Sequence, residues 1–214
     1  MKKLLFVSIL MLSAFFTMAQ SAKYNAAMTG NLAAIDSSFK NPANLLSLAN
    51  NFERIATAEK SQWLPYYYAA YLQVMYGMML EDKSGCDAIA EKATALISKA
   101  DSLSPKNSEI SAIKSMIATC HMLVNPMQRY MEYGMEASSL LEQAKTEDPN
   151  NPRPYFLIGQ TLRYTPENFG GGCQSASEQL QIAMTKFKAF QPASALHPNW
   201  GMQRAQMLLD ECKK

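Results

Sequence analysis

The chain has 214 residues, of which 48% are hydrophobic, and it carries 20 Lys and Arg against 18 Asp and Glu. Lys2 and Lys3 account for the formal charge of +2, and both precede the fold, so the rest of the chain is formally neutral. A nucleic-acid binder would carry a basic stripe or patch; here the longest basic cluster within one helix is Lys186 and Lys188, which reads as a solvated face, and that class is set aside.

The first element is a leader. Lys2 and Lys3 give a positive start, Leu4 to Phe16 form an apolar stretch, and Thr17 and Ala19 put small residues where a signal peptidase inspects them. The pattern is a secretory signal peptide over residues 1–19, too short for a comfortable membrane span. Cleavage is expected at Ala19|Gln20, leaving residues 20–214 as one domain. The first cysteine is Cys86, so no lipid-anchor cysteine follows the apolar stretch. No later segment approaches eighteen uninterrupted apolar residues, so no membrane span is expected after cleavage. The expected location is periplasmic or secreted.

From there the apolar pattern is helical. Leu45, Leu48, Ala49, Phe52, Ile55 and Ala56 follow the three-four spacing of one helix face. Asn41-Pro42 and Asn151-Pro152 are helix starts, because Asn caps free amides and Pro suits the first turn. Nine helices are predicted, at 22–38, 42–59, 62–80, 86–103, 107–124, 127–147, 152–164, 173–190 and 198–212. No segment alternates long enough to argue for a strand. The fold class is all-α, with short loops joining antiparallel neighbours.

Two stretches along this path are candidate binding surfaces. In the helix beginning at SQWLPYYYAAY, Trp63, Tyr67 and Tyr71 share a face, with Tyr66, Tyr68 and Tyr76 around them. Tyr presents an apolar body and a polar tip, which suits a contact surface; the plainer alternative is that the rings pack inward and cap the core. Further on, Met127, Met131 and Met135 stand four residues apart, just after Cys120, His121 and Met122. Thioethers and thiolates suit soft metals, but a Met row at helical spacing is more simply an adaptable filler of gaps between helices.

One spacing occurs twice. Ala93, Ile97, Ala100 and Pro105 in EKATALISKADSLSPKN match Ala137, Leu141, Ala144 and Pro149 in MEASSLLEQAKTEDPNN. Each is a helix packed closely through Ala and then stopped by Pro. In PRPYFLIGQTL, Tyr155 is followed by Ile158 and Gly159, and the glycine admits a neighbouring helix. Over about residues 60–190 the chain resembles the tetratricopeptide repeat family. The resemblance implies an α-solenoid of antiparallel helix hairpins that binds a protein or peptide and does no chemistry. It also implies that first helices line a concave groove, which would put Arg153, Phe156, Gln160, Arg163 and Tyr164 on it.

The same architecture bears on the cysteines. Cys86 and Cys173 each follow a glycine at the start of a second helix, and Cys120 and Cys212 lie toward the ends of the helices that follow. In an antiparallel array those places are neighbours, so 86–120 and 173–212 are the expected bridges in an oxidising compartment. Four buried free thiols are the alternative. Zinc fits poorly, since no Cys-x-x-Cys or Cys-x-x-His spacing occurs.

The loop YTPENFGGGC is glycine-rich before a helix, but Gly172-Cys173-Gln174 stands where a phosphate loop needs Gly-Lys-Ser/Thr. Catalysis finds no support. His197 precedes Pro198, and His121 adjoins Cys120, which on a helix cannot face it. The reading is a non-enzymatic, cofactor-free, exported adaptor for an unknown protein or peptide partner. The alternative is an envelope protein that binds a small ligand or a soft metal.

Overall fold

The structure, a computed structural model, describes residues 22–213. The leader expected at 1–19 lies outside them. All regular structure among the described residues is helical.

A helix at 22–33 (α1) and the short α2, Ile35–Ser38, replace the single helix expected over 22–38. There follow α3 (Pro42–Ala58), α4 (Trp63–Met79), α5 (Cys86–Leu103) and α6 (Ser108–Leu123). Next come α7 (Pro126–Arg129), a π-helical turn (Tyr130–Gly134) and α8 (Met135–Glu147). The chain closes with α9 (Pro152–Tyr164), α10 (Gly172–Ala189) and α11 (Met202–Glu211).

Asparagine starts four of these helices. The side chains of Asn41, Asn107, Asn125 and Asn151 accept from amides of the first turn, at 3.0, 3.0, 3.4 and 3.0 Å. A cap of this kind is worth about 1 kcal/mol against Ala. Pro42, Pro126 and Pro152 then occupy the first turn, where the missing amide costs nothing.

Neighbouring helices run in opposite directions, which sorts their termini to two ends of the bundle. At one end α4, α6, α9 and α11 finish while α5, α7 and α10 begin. There Cys120 Sγ of α6 lies 3.7 Å from the Cys86 carbonyl of α5, and Cys173 is bonded to Cys212 with their Cα atoms 5.1 Å apart. At the other end the Ser108 hydroxyl donates to the Ala144 carbonyl at 2.7 Å, and Asn151 donates to Ser108 at 3.0 Å.

The core between the ends is set by the expected apolar faces: Phe52, Leu72, Ile97, Ile110, Ile113, Leu180 and Leu208 are sealed from solvent. The Ala positions of the doubled spacing, Ala93, Ala100, Ala137 and Ala144, are buried as well. Gly159 sits where α9 meets α10, and a Cβ there would lie 2.7 Å from Leu180 Cγ.

Two further segments depart from the expected helices. The last helix begins at Met202, and residues 190–201 run as irregular chain over the bundle. Gly201 makes the entry into α11 with φ 109°, a conformation open to glycine, and a Cβ there would meet Phe187 at 2.8 Å. The second departure is the π-helical turn inside the predicted 127–147 helix. Such turns add one residue to a helical circuit and recur at functional sites.

Candidate functional site

The residues expected to form a binding surface separate into a buried group and an exposed one. Tyr67 is fully buried and Tyr71 nearly so, and Trp63 is half-buried against Tyr67 and His197 at ring distances of 5.6 and 5.7 Å. The irregular 190–201 segment covers them. Trp200 stacks on Tyr71 at 4.8 Å and donates its indole N–H to the Tyr67 hydroxyl at 2.8 Å, while Tyr68 donates to the Leu196 carbonyl at 2.9 Å. Burial pushes the hydroxyls of Tyr67, Tyr68 and Tyr71 well above the usual phenol range. The aromatic cluster is therefore core, the plainer of its two readings, and its cover is chain that is irregular to Gly201 where a helix is expected from 198.

Arg153 and Phe156 do not face a groove either. Arg153 is completely enclosed, pairs with Glu109 at 2.7 Å, and donates to the Pro198 carbonyl. Its guanidinium lies 5.0 and 5.2 Å from the Phe190 and Trp200 rings. Burial pushes the Glu109 carboxyl up, opposed by Arg153 and by a hydrogen bond from the Tyr67 hydroxyl. Phe156 is buried against Phe187 and Trp200. This end is a closed polar knot within aromatic packing.

Gln160, Arg163 and Tyr164 belong to the opposite, disulfide end, where α9 finishes. Tyr164 is 61% exposed, and Gln160 and Arg163 are partly exposed. Here the Met row also needs correction: Met127, Met131 and Met135 are 87%, 72% and 55% exposed, so they do not fill the core. The buried side of α8 runs through Ala137, Leu141 and Ala144. Met135, two residues before Ala137, falls about 200° around the helix from it, on the far side.

The disulfide end gathers most of the exposed apolar bulk. Met79 ends α4, Met127, Tyr130, Met131 and Met135 surround the π-helical turn, Tyr164 precedes the 165–171 loop and Phe169 lies within it; all are open to solvent. Beside Tyr164 an open cleft of about 380 Å³ is lined by Arg163, Tyr164, Thr165, Pro166, Glu167, Gly172 and Cys173. Its floor is the glycine-rich loop, whose tight turn depends on Gly170 at φ 81° and on the close approach of Gly171 to the Thr165 carbonyl. Arg204 of α11 donates to the Tyr164 hydroxyl. A polar cluster joins the start of α5 to the end of α6 and the π-helical turn: Asp87 accepts from Arg129 at 2.7 Å and bonds His121 at 2.8 Å, with Tyr133 stacked on the His121 ring at 4.9 Å.

The cysteines lie beneath this end. Cys173 and Cys212 are bonded and fit an oxidising compartment. Cys86 and Cys120 are buried free thiols, so the expected second bridge is absent. They are neighbours as the antiparallel argument required, but Cys86 Sγ is directed at the Gly77 carbonyl, 3.4 Å away, and Cys120 Sγ at the Cys86 carbonyl. Burial also pushes the Cys120 thiol up, away from the thiolate needed for exchange.

The HusA haemophore from Porphyromonas gingivalis has the same fold: TM-score 0.79 and 39% identity, over 89% of this chain and 92% of that one. The chain belongs to the HusA haemophore family. No protein-family model and no curated relative matches it. Family membership sets the chain among binding proteins, and among the described residues no helix is long and apolar enough to cross a membrane. Sequence reasoning missed Phe169, Met79, Tyr130 and Arg204. An aromatic residue inside a glycine-rich loop was the available signal for Phe169; the others needed the chain's three-dimensional course.

Proposed function

We propose that the protein is an exported, non-catalytic haem carrier that takes the macrocycle onto the disulfide end of its bundle. The observation that carries this is its 39% identity to the HusA haemophore across 92% of that chain. The end face fits such a cargo. A macrocycle needs a broad apolar platform, and Met79, Met127, Met131, Tyr164 and Phe169 are exposed there. Exposed apolar side chains gathered at one end of a bundle suit a binding role, and thioethers adapt to a flat partner without a preformed slot. Arg163 and Arg204 supply positive charge beside it for carboxylate groups of the ligand. Export is supported by the leader pattern and by the Cys173–Cys212 bridge.

Titrating haem into the purified exported protein tests the proposal. Saturable binding should shift the haem absorption band, and replacing both Tyr164 and Phe169 by Ser should weaken it without lowering thermal stability. An unchanged spectrum at saturating haem would falsify the reading.

A second reading is favoured by the side-by-side packing of α4, α6 and α9, which is how first helices of tetratricopeptide-like repeats would lie. On it, the Met surface docks a protein or peptide, a task that suits flexible side chains. Cross-linking in the native envelope, together with silence in the haem titration, would select it.

A further inference from the structure

The cations at the disulfide end are not equivalent. Arg129 is occupied by the Asp87 carboxylate at 2.7 Å and the His121 carbonyl at 3.0 Å. Lys83 is tied to the carbonyls of Met78 and Leu80. Arg163 differs from both. It lines the cleft, and among the described residues it makes no ion pair. Its Nε–H is buried without a hydrogen-bond partner. Buried donors in folded proteins are nearly always satisfied; Arg153 Nε is orphaned as well, but Arg153 is closed in by Glu109 and Pro198, whereas Arg163 stands at an open cleft with no ion pair among the described residues.

A second arginine converges on the same place. Arg204 reaches from α11 to donate to the Tyr164 hydroxyl, and its nearest carboxylate, Glu211, stands off at 3.9 Å. The Arg163 guanidinium carbon lies 6.0 Å from the centre of the Tyr164 ring. One exposed aromatic ring is thus flanked by two guanidinium groups. Guanidinium presents a planar fork of donors that matches a carboxylate.

We infer that Arg163, seconded by Arg204 across Tyr164, anchors a carboxylate of the bound macrocycle, so that the site selects ligands with free acid side chains over neutral analogues. The inference rests on the haem-carrier reading and adds the chemical class that the carrier discriminates. In this arrangement the ring lies on Tyr164 and Phe169 while its acid group turns into the cleft toward Arg163. Glu167 shares the cleft and opposes the anion, so it tempers affinity for the acid form and leaves the neutral form unaffected.

Haem and its dimethyl ester, which keep the same ring and iron but differ in charge, separate these contributions. The wild-type protein should bind haem at least about tenfold more tightly than the ester, the size of a hydrogen bond to a charged group. The preference should shrink with added salt. Arg163→Gln should abolish most of it while leaving ester binding in place, Arg163→Lys should restore part, and Glu167→Gln should enlarge it. Equal binding of acid and ester by the wild-type protein overturns the anchor, a result that depends on no variant folding. Retention of the full preference by Arg163→Gln overturns the assignment to Arg163. If neither ligand binds, the haem-carrier reading falls and the anchor falls with it.

Discussion

Replacing Gly159 with Ala measures how closely α9 and α10 are held together. A Cβ at this position falls 2.7 Å from Leu180 Cγ, 2.9 Å from its Cδ2 and 3.2 Å from its backbone nitrogen. The side-chain atoms can turn aside, but the nitrogen moves only if α10 moves. Overpacking of this kind costs about 1–3 kcal/mol, and from it must be subtracted the roughly 1 kcal/mol by which Ala outperforms Gly in a helix. The net effect of Gly159→Ala is then a loss of between roughly 0 and 2 kcal/mol, with Gly159→Leu at about 3. Gly30 supplies the reference, since it lies within a helix and a Cβ there meets nothing within 4 Å. Gly30→Ala should stabilise by about 0.5–1 kcal/mol through propensity alone. Urea denaturation followed by circular dichroism gives both values, and their difference isolates the packing contribution at about 1–3 kcal/mol. Leu180→Ala should be less harmful beside Gly159→Ala than alone, because the two share one contact. If Gly159→Ala stabilises as much as Gly30→Ala, the close approach of the two helices is not real.

Other expectations follow from the same reasoning. Arg153→Leu, which strands the Glu109 carboxylate in the core, should cost about 3–5 kcal/mol in the same assay; a loss below 1 kcal/mol would mean that Glu109 finds water. Reducing the Cys173–Cys212 bridge, which spans 39 residues, should lower stability by about 4 kcal/mol in the chain-entropy account. Thiol alkylation followed by mass analysis should label nothing in the native protein and both Cys86 and Cys120 after unfolding, whereas a mapped 86–120 bridge would contradict the free thiols. Hydrogen bonds from Arg129 and His121 hold the Asp87 carboxyl below its usual range. Its stabilisation is therefore present above about pH 4 and lost as the pH falls further, and Asp87→Asn should flatten that acid limb of the stability curve.

The sequence made the helices legible because their signals are local. Asn-Pro starts, Pro stops and three-four apolar spacing need only neighbours in the chain, and α3 to α6, α9 and α10 follow them to within a residue or two. Helix order and direction bring Cys173 to Cys212 and Cys86 to Cys120, but they fix only proximity: the first pair is bonded and the second is not. What failed depended on distant chain. Tyr67 and Tyr71 read as a contact surface or, more plainly, as core, and what decides it is Trp200, more than a hundred residues later, laid over them. The Met row is the exception, because its correction is local: Met127, Met131 and Met135 have the spacing of a core stripe, but Ala137 and Leu141 of the same predicted helix put the packed face on the other side. Of the groove residues taken from the repeat resemblance, Arg163 and Tyr164 reach the candidate site because they lie at the end of α9. Arg153 and Phe156, at its beginning, are absorbed by the 190–201 segment.

That segment changes how the molecule should unfold. In an array whose repeats touch only their neighbours, stability is a sum of local contributions, and melting can begin at a terminal unit and spread. Here Tyr68 is joined to Leu196 across 128 positions, Tyr67 to Trp200 across 133, and Arg153 to Glu109 and Pro198 on either side of it. Fraying of the tail therefore exposes α4 near the beginning of the chain as well as the last hairpin. The bundle should lose its structure in a single cooperative step, and it should fold slowly for a helical protein, because contacts of such long range must close before the knot that depends on them can form.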